Sequence, residues 1–495
     1  MTAGTIAGLL DESAAIRPGR PMLRDDAGRT LTVGDVANLT AAATHWLWDA
    51  GVRPGMTVAW QLPSHLDAAV LMLALARTDV RQAPVLHLYR RREVCSAVDV
   101  AEADILVVDR TTAANAGDGV HVRLPNDFLR RLHAMPQLPH PELGRPRAAD
   151  AVRWVYFTSG TTGRPKGVRH SDATLLTAAR GFAGHLGLGG FPEEVGSIAF
   201  PIAHIGGIVY LSAALMADFP VLMVPKVAAD DLPRLLTEHR VTVAGASPVF
   251  YQMLLSAQLE AGTSRRLIPS LRMLTGGGAP CPPELHKRVR ECMRIPIVHA
   301  YGMTEAAMVC VSMATDTDEQ RSHSSGLPIP GTEVRIGATG EIEVRGANVT
   351  PGYLDPLQWA AASTPDGWFR TGDQGHLRAD GRIVITGRTK DLIIRKGENI
   401  APEEIENELL GHPLVDKVAV LGQPDVLRGE LVCAVVRRSP RHRDVTLDEL
   451  CAFLDERGLM KQKWPERLVI VDEFPLTGLG KVSKSTLAQH IAGGS

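Results

Sequence analysis

The 495-residue sequence has no excess of charge of either sign: 53 lysines and arginines stand against 55 aspartates and glutamates. That balance excludes a basic field suited to nucleic acid, and no run of like charge marks an interaction tail. Cysteine is scarce, and its six copies (Cys95, Cys281, Cys292, Cys310, Cys433 and Cys451) contain no C-x-x-C pair. A zinc site or disulfide framework is therefore excluded, and reduced, mostly buried thiols of a cytoplasmic protein are expected. The N-terminus lacks a basic segment followed by an apolar core, so no secretory signal is expected. The most apolar long stretch, Ile205 to Pro225, is broken by Asp218 and Pro220 and reads as a buried helix and strand, not a membrane span. Internal repeats, low-complexity segments, a Walker A spacing and a Ser/His/Asp or Cys/His constellation are also missing.

What is present is an ordinary globular balance, 45% hydrophobic and 22% charged. The length is too great for one core and implies about three domains or subdomains. Residues 1–150 alternate helical and strand patterns: a helix over Ala37 to Ala50, a strand over Thr57 to Gln61, an apolar helix over Leu66 to Ala76, and a buried strand over Ala103 to Asp109. Such alternation predicts a layered α/β domain. From Gly331 to about Arg388 short strands bounded by Gly and Asp turns predict a β-rich section. Residues 392–495 read as a compact unit with a helix from Pro402, strands at Lys417–Leu421, Leu431–Val436 and Arg467–Val471, and a helix at Leu447–Arg457.

One stretch organises the rest: Tyr156-Phe-Thr-Ser-Gly-Thr-Thr-Gly-Arg-Pro-Lys-Gly-Val168. Val152, Trp154 and Tyr156 predict a strand running into a small, hydroxylated loop, Thr158, Ser159, Gly160, Thr161, Thr162 and Gly163. Glycines let backbone N–H groups approach an anion, hydroxyls add donors, and Lys166 adds a point charge. Together they can grip a polyphosphate, although the same composition also suits a plain surface loop. A helix is expected from His170 to about His185. Further along, Leu271 to Pro280 reads as a strand ending in the turn Gly276-Gly277-Gly278-Ala279-Pro280, and Ile297 to Glu305 as a strand leading to Tyr301-Gly302-Met303-Thr304-Glu305. Loops beyond the carboxyl ends of strands in open α/β sheets are where ligands sit. Each candidate has a plain alternative: His204 a satisfied core histidine, Tyr301 a core ring, Glu305 a solvated charge, and Asp373 part of a tight Gly-Asp turn.

The order and spacing of these segments resemble the adenylate-forming superfamily, which includes acyl- and aryl-CoA synthetases, luciferases and the adenylation domains of peptide synthetases. The stretch Gln82 to Val94 resembles its medium-chain and cyclic-acid CoA ligase branch, though Arg90, Arg91 and Arg92 also fit a solvated helix start. The resemblance implies an N-terminal adenylation domain over 1–387 with a β-rich subdomain at about 331–387, a hinge at 388–391, and a mobile α+β lid over 392–495. It implies ATP, Mg²⁺ and coenzyme A as ligands and a small carboxylic acid as substrate, and leaves a homodimer open. By the same resemblance, Thr158 to Gly163 and Lys166 hold phosphates, and Gly277, Gly278, Ala279, Pro280, Tyr301, Gly302 and Met303 receive the nucleotide. Thr304 meets the α-phosphate, Glu305 holds Mg²⁺, and Asp373 and Arg388 hold the ribose. His204, Gly276 and Gly302 line the acyl pocket, Asp391 is the pivot, Gly397 lines the CoA tunnel, and Lys481 is the catalytic cation. Lys461 and Lys463 are candidates for the CoA phosphates. Amino-acid-activating relatives carry an aspartate near the His204 element, and its absence between Phe200 and Gly207 argues against an α-amino acid. The expected activity is acyl-AMP formation followed by transfer to CoA. The alternatives are another acceptor (a carrier protein or an amine), an unusual acid such as nitrite, and a nucleotide-binding regulator without turnover.

Overall fold

The computed structural model describes residues 3–143, 148–158, 164–262, 264–395, 398–425, 429–439, 443–476 and 482–492. Two large sheets form the body of the molecule. In the first, strands His121–Arg123, Ile105–Val108, Thr57–Gln61, Arg81–Pro84 and Val152–Thr158 lie side by side and parallel, and Lys166–Ser171 closes the edge as an antiparallel hairpin. In the second, Ile297–Met303, Met273–Gly277, Val243–Ala244, Gly196–Ile198, Val221–Met223 and Pro21–Arg24 run parallel, with antiparallel strands at both edges. Parallel strands need helical crossovers, which cover both faces and explain the continuous apolar runs in the sequence.

Two of those helices are apolar nearly all round. Leu66–Ala76 is buried everywhere except Asp67, and Ile205–Ala217 is buried over most of its length. A helix with no polar face has to be enclosed, and both belong to the largest hydrophobic core, together with Trp60 and Trp154. That core holds a polar knot. Asp172, fully buried, accepts hydrogen bonds from the Ile6 N–H (3.0 Å) and Trp154 Nε1 (2.8 Å) and pairs with Arg153, whose Nη1 donates to the Ala76 carbonyl (3.0 Å). The knot joins the N-terminal helix Ile6–Ile16, the first sheet and the helix Asp172–Leu186.

A four-stranded antiparallel sheet follows: Thr332–Ile336, Glu341–Gly346, Phe369–Leu377 and Ile383–Arg388. The C-terminal part has its own sheet of Glu398–Ile400, Ile393–Arg395, Gly429–Arg437, Val418–Asp425 and Arg467–Val471, and its own two cores. Mixed large sheets plus a smaller α+β unit are the expected fold class.

Several expectations need correction. The helix expected from His170 starts at Asp172; His170 belongs to strand Lys166–Ser171 because Ser171 caps the helix through the Thr174 N–H (3.3 Å). The early helix runs Val33–Asp49, four residues sooner than its apolar pattern suggests, because Thr32 and Asp35 form a capping box. Trp368 to Asp373 is no tight turn: Thr371, Gly372 and Asp373 sit inside the long strand Phe369–Leu377. All six cysteines are free, but only Cys310 and Cys433 are buried. Among the described residues no helix is long and apolar enough to cross a membrane.

Candidate active site

The carboxyl ends of both sheets meet at one place. Strand Val152–Thr158 ends at Thr158, opposite Lys166 in the hairpin register. Strand Ile297–Met303 ends at Met303 and doubles back through Thr304 and Glu305 into Ala306–Val311. Glu305, buried to 8% exposure, is where they touch: its Oε1 accepts from Tyr353 Oη (2.8 Å) and Thr158 Oγ1 (3.5 Å). Lys166 Nζ stands over the Tyr353 ring, 4.9 Å from its centroid. Among the described residues Glu305 Oε2 accepts no hydrogen bond, so one oxygen of a fixed carboxylate is left for a cation. Mg²⁺ suits such a place, since it prefers oxygen ligands and keeps most of its waters and substrate phosphates instead of a protein cage. No cluster of three or more His, Cys, Asp or Glu able to hold a metal occurs among the described residues.

The turn that carries Thr304 is anchored from beneath. His170 Nε2 lies 2.7 Å from the Thr304 carbonyl and Nδ1 lies 2.9 Å from Thr174 Oγ1. Burial pulls the imidazole down to about 4, so it is neutral near pH 7. Because a carbonyl only accepts, Nε2 carries the proton.

A second carboxylate is assembled from strands far apart in sequence. Asp373 stands directly opposite Arg388 in the antiparallel sheet, with Arg388 Nε 3.1 Å from its Oδ1. Its Oδ2 accepts from Tyr301 Oη at 2.7 Å. Burial and the neighbouring Asp373 push the Tyr301 phenol well up, so it remains a proton donor. The Tyr301 ring packs with Ile342 and Phe369, so the residue is at once a core ring and a tether for Asp373.

Gly276, at φ +138°, and Gly277 end the strand Met273–Gly277. A Cβ on Gly276 would come within 2.3 Å of the Ala246 carbonyl, and one on Gly277 within 2.1 Å of the Ala300 carbonyl. Both glycines are set by the close approach of neighbouring strand ends, while Gly278 and Pro280 are exposed and Ala279 is half-buried. Gly302 lies on the adjoining strand. His204 caps helix Ile205–Ala217, its Nδ1 accepting the Gly206 N–H at 3.1 Å, which gives it a structural task whatever else it touches. Asp391 ends the short 3-10 turn Thr389–Asp391. Lys463 is held by Glu404 (2.7 Å), and Lys461 stands over Trp464 (5.4 Å). Ser159, Gly160, Thr161, Thr162, Gly163, Gly397 and Lys481 lie outside the described residues.

Two participants were not foreseen from the sequence. Tyr353 follows a Pro-Gly pair that signals only a turn, and its partner Glu305 is 48 residues away. Glu403, at the start of helix Pro402–Leu409, is pushed up to about 7 by burial first, then by Glu406, with Asp373 adding to the rise and Lys484 and Arg388 opposing it. The charges of Asp373 and Arg388 reach Glu403, and Gly387, next to Arg388, lies against Ala401 at the start of the C-terminal unit.

Comparison with known proteins identifies the family. Residues 10–354 match the model for the AMP-binding enzyme family, and residues 404–481 match that for the AMP-binding enzyme C-terminal domain. The chain is 30% identical to indoleacetate–CoA ligase of Aromatoleum aromaticum, with 98% of this chain and 97% of the relative covered. It is 26% identical to medium-chain fatty-acid–CoA ligase of Escherichia coli, covering 98% and 90%. Its fold superposes on ATP-bound MatB from Rhodopseudomonas palustris with a TM-score of 0.87, at 28% identity over 98% of both chains. The chain therefore belongs to the AMP-binding enzyme family, as an ATP-dependent, acyl-adenylate-forming enzyme of the acid–thiol ligase class.

Proposed function

We propose that the enzyme couples a medium-chain, cyclic or aromatic carboxylic acid to AMP with release of pyrophosphate, then transfers the acyl group to coenzyme A. The observation that supports this reading is the meeting of Thr158, paired with Lys166 across the hairpin, with the buried carboxylate of Glu305.

A carboxylate acylates poorly because its leaving group would be oxide; joining it to AMP supplies a good one. As the acid oxygen attacks the α-phosphorus, negative charge gathers on the phosphoryl oxygens and the departing pyrophosphate, and preorganised donors lower the barrier by opposing it. In this reading the backbone and hydroxyls from Thr158 to Gly163, with Lys166, bind the phosphates, Thr304 meets the α-phosphate, and Lys481 supplies the mobile cation. Glu305 would hold Mg²⁺, which would neutralise phosphate charge. Asp373 accepts the ribose hydroxyls, Arg388 steadies it, and the strand ends Gly276–Pro280 and Tyr301–Met303 flank adenine and the acyl chain near His204. No general base is needed for this step, since the attacking oxygen is already ionised. For the thiol step we assign a rotation about 388–391, with Asp391 as pivot, which withdraws Lys481 and lets the segment around Gly397 face the pantetheine arm; 1–387 and 392–495 are then the moving bodies.

The test is acid-dependent pyrophosphate release across a panel of medium-chain, cyclic and aromatic acids, with and without CoA. Release with a thioester product is expected. Release without thioester under any CoA concentration would reassign the acceptor, and no release with any acid would refute the reading. In Lys481→Ala, adenylation should be lost while preformed acyl-adenylate still reacts with CoA.

A further inference from the structure

The segment 349–354 is bonded to both elements that meet at the site. Towards the phosphate hairpin, Val168 bridges Tyr353, the Leu354 N–H donates to the Gly167 carbonyl (2.8 Å), and the Arg169 N–H donates to the Gly352 carbonyl (3.0 Å). Towards the Glu305 turn, Val349 bridges Ala306 and the Thr350 N–H donates to the Glu305 carbonyl (2.7 Å). Tyr353 sits at the middle of this strap, 4% exposed, with Trp359 edge-on to its ring at 5.9 Å. Its hydroxyl is spent on Glu305 and its face on Lys166.

This arrangement does something that packing alone does not require. The terminal torsion of a glutamate is broad, so an untethered carboxylate swivels and offers either oxygen. Tyr353 pins Oε1 by a bond of 2.8 Å and leaves Oε2 for another partner. A phenol suits this better than an arginine, because it orients the carboxylate without cancelling its charge. A phenol keeps its proton at physiological pH and so stays a donor to the carboxylate.

We propose that Tyr353 is a positioning residue for the metal step: its hydroxyl fixes one oxygen of the Glu305 carboxylate so that the other would be available to the Mg²⁺ of Mg·ATP, and its ring seats the Lys166 ammonium. The proposal rests on the reading of Glu305 as the metal carboxylate.

The decisive variant is Tyr353→Phe in the full-length protein, which keeps the ring, its contact with Trp359 and its face for Lys166. Binding of α,β-methylene-ATP is titrated by calorimetry at stepped Mg²⁺ concentrations and again in EDTA, and melting is followed in parallel. A lost hydrogen bond to a charged group corresponds to roughly a tenfold effect, so about tenfold more Mg²⁺ should be needed for half-maximal nucleotide binding. Metal-free nucleotide affinity should not change. An unchanged Mg²⁺ requirement, or an equal loss of metal-free and metal-bound affinity, overturns the role of Tyr353. Glu305→Gln serves as the control for the underlying reading. If that variant keeps a wild-type Mg²⁺ requirement, the metal assignment of Glu305 falls, and the proposal falls with it.

Discussion

Removing a single oxygen, in Tyr301→Phe, tests how the site holds Asp373. The Tyr301 hydroxyl reaches Asp373 Oδ2 at 2.7 Å in a buried setting. A hydrogen bond to a charged group contributes about 1.5–3 kcal/mol, and in this case the ring that remains preserves the packing. A further partner of Asp373, Arg388, has 48% of its side chain exposed, and ion pairs with an exposed member contribute only about 0–1 kcal/mol. Asp373 would therefore lose the stronger of these two restraints. If Asp373 accepts the ribose hydroxyls, the loss should weaken AMP binding roughly ten- to a hundredfold, at about 1.4 kcal/mol per factor of ten. The assay compares AMP with 2′,3′-dideoxy-AMP in wild type and variant by equilibrium titration. The variant should lose affinity for AMP and much less for the dideoxy analogue, so discrimination between them collapses. Equal loss for both ligands would mean that the Tyr301 hydroxyl acts on something other than the ribose contact, and the ribose argument would be refuted.

Two other perturbations bear on the domain contact and the core. Glu403 is protonated more readily in place than in an unfolded chain, because its pKa rises from the ordinary glutamate range to about 7. Its place beside the Asp373–Arg388 pair is thus fully favoured below the ordinary range and weakens as pH rises from that range through about 7; hydrogen exchange across 388–391, corrected for its intrinsic pH dependence, should increase between about pH 5 and 7 in wild type and lose that dependence in Glu403→Gln. Asp172→Asn breaks the buried pair with Arg153 while nearly keeping the shape, and should destabilise the protein by about 3–5 kcal/mol in urea denaturation. A change below about 1 kcal/mol would show that the knot does not hold the N-terminal helix to the sheet.

Much of this fold can be read locally, where a run of one residue class is bounded by turn formers. Strands Thr57–Gln61 and Arg467–Val471 and helix Leu66–Ala76 fall where their apolar runs predict. Reading fails where the deciding interaction is a cap or a distant partner. Ser171, not His170, starts its helix, and the Ser-x-x-Thr spacing at 171–174 carries that signal. Asp373 looks like a turn residue because Gly372 precedes it, yet the strand continues through Gly372 at φ +75° since Ile383–Arg388 pairs alongside. Lys166, Glu305 and Asp373 are legible as chemistry-bearing types, but the bonds that orient Glu305 and Asp373 span 147, 48 and 72 residues. No periodicity encodes such distances. Tyr353 and Glu403 could have been found only by asking what a buried carboxylate needs around it.

That question has one answer at both carboxylates. Glu305 and Asp373 are each buried, and each accepts a short hydrogen bond from a tyrosine hydroxyl. A fully buried arginine would satisfy the same oxygens but would leave a neutral pair with little attraction for a cation or for hydroxyl donors. A phenol, with its own ionisation driven upward by the carboxylate beside it, cannot transfer its proton at neutral pH and so leaves the full negative charge in place. The two sites then differ in their second neighbour. Asp373 has Arg388 at its side, which lowers its local field, as the proposed binding of neutral ribose hydroxyls would want. Glu305 has only hydroxyl donors among the described residues, and so keeps the field that a divalent cation requires. On the proposed reading, one arginine divides the same carboxylate chemistry between sugar and metal, and exchanging the second neighbours, not the carboxylates, is what should exchange the preferences.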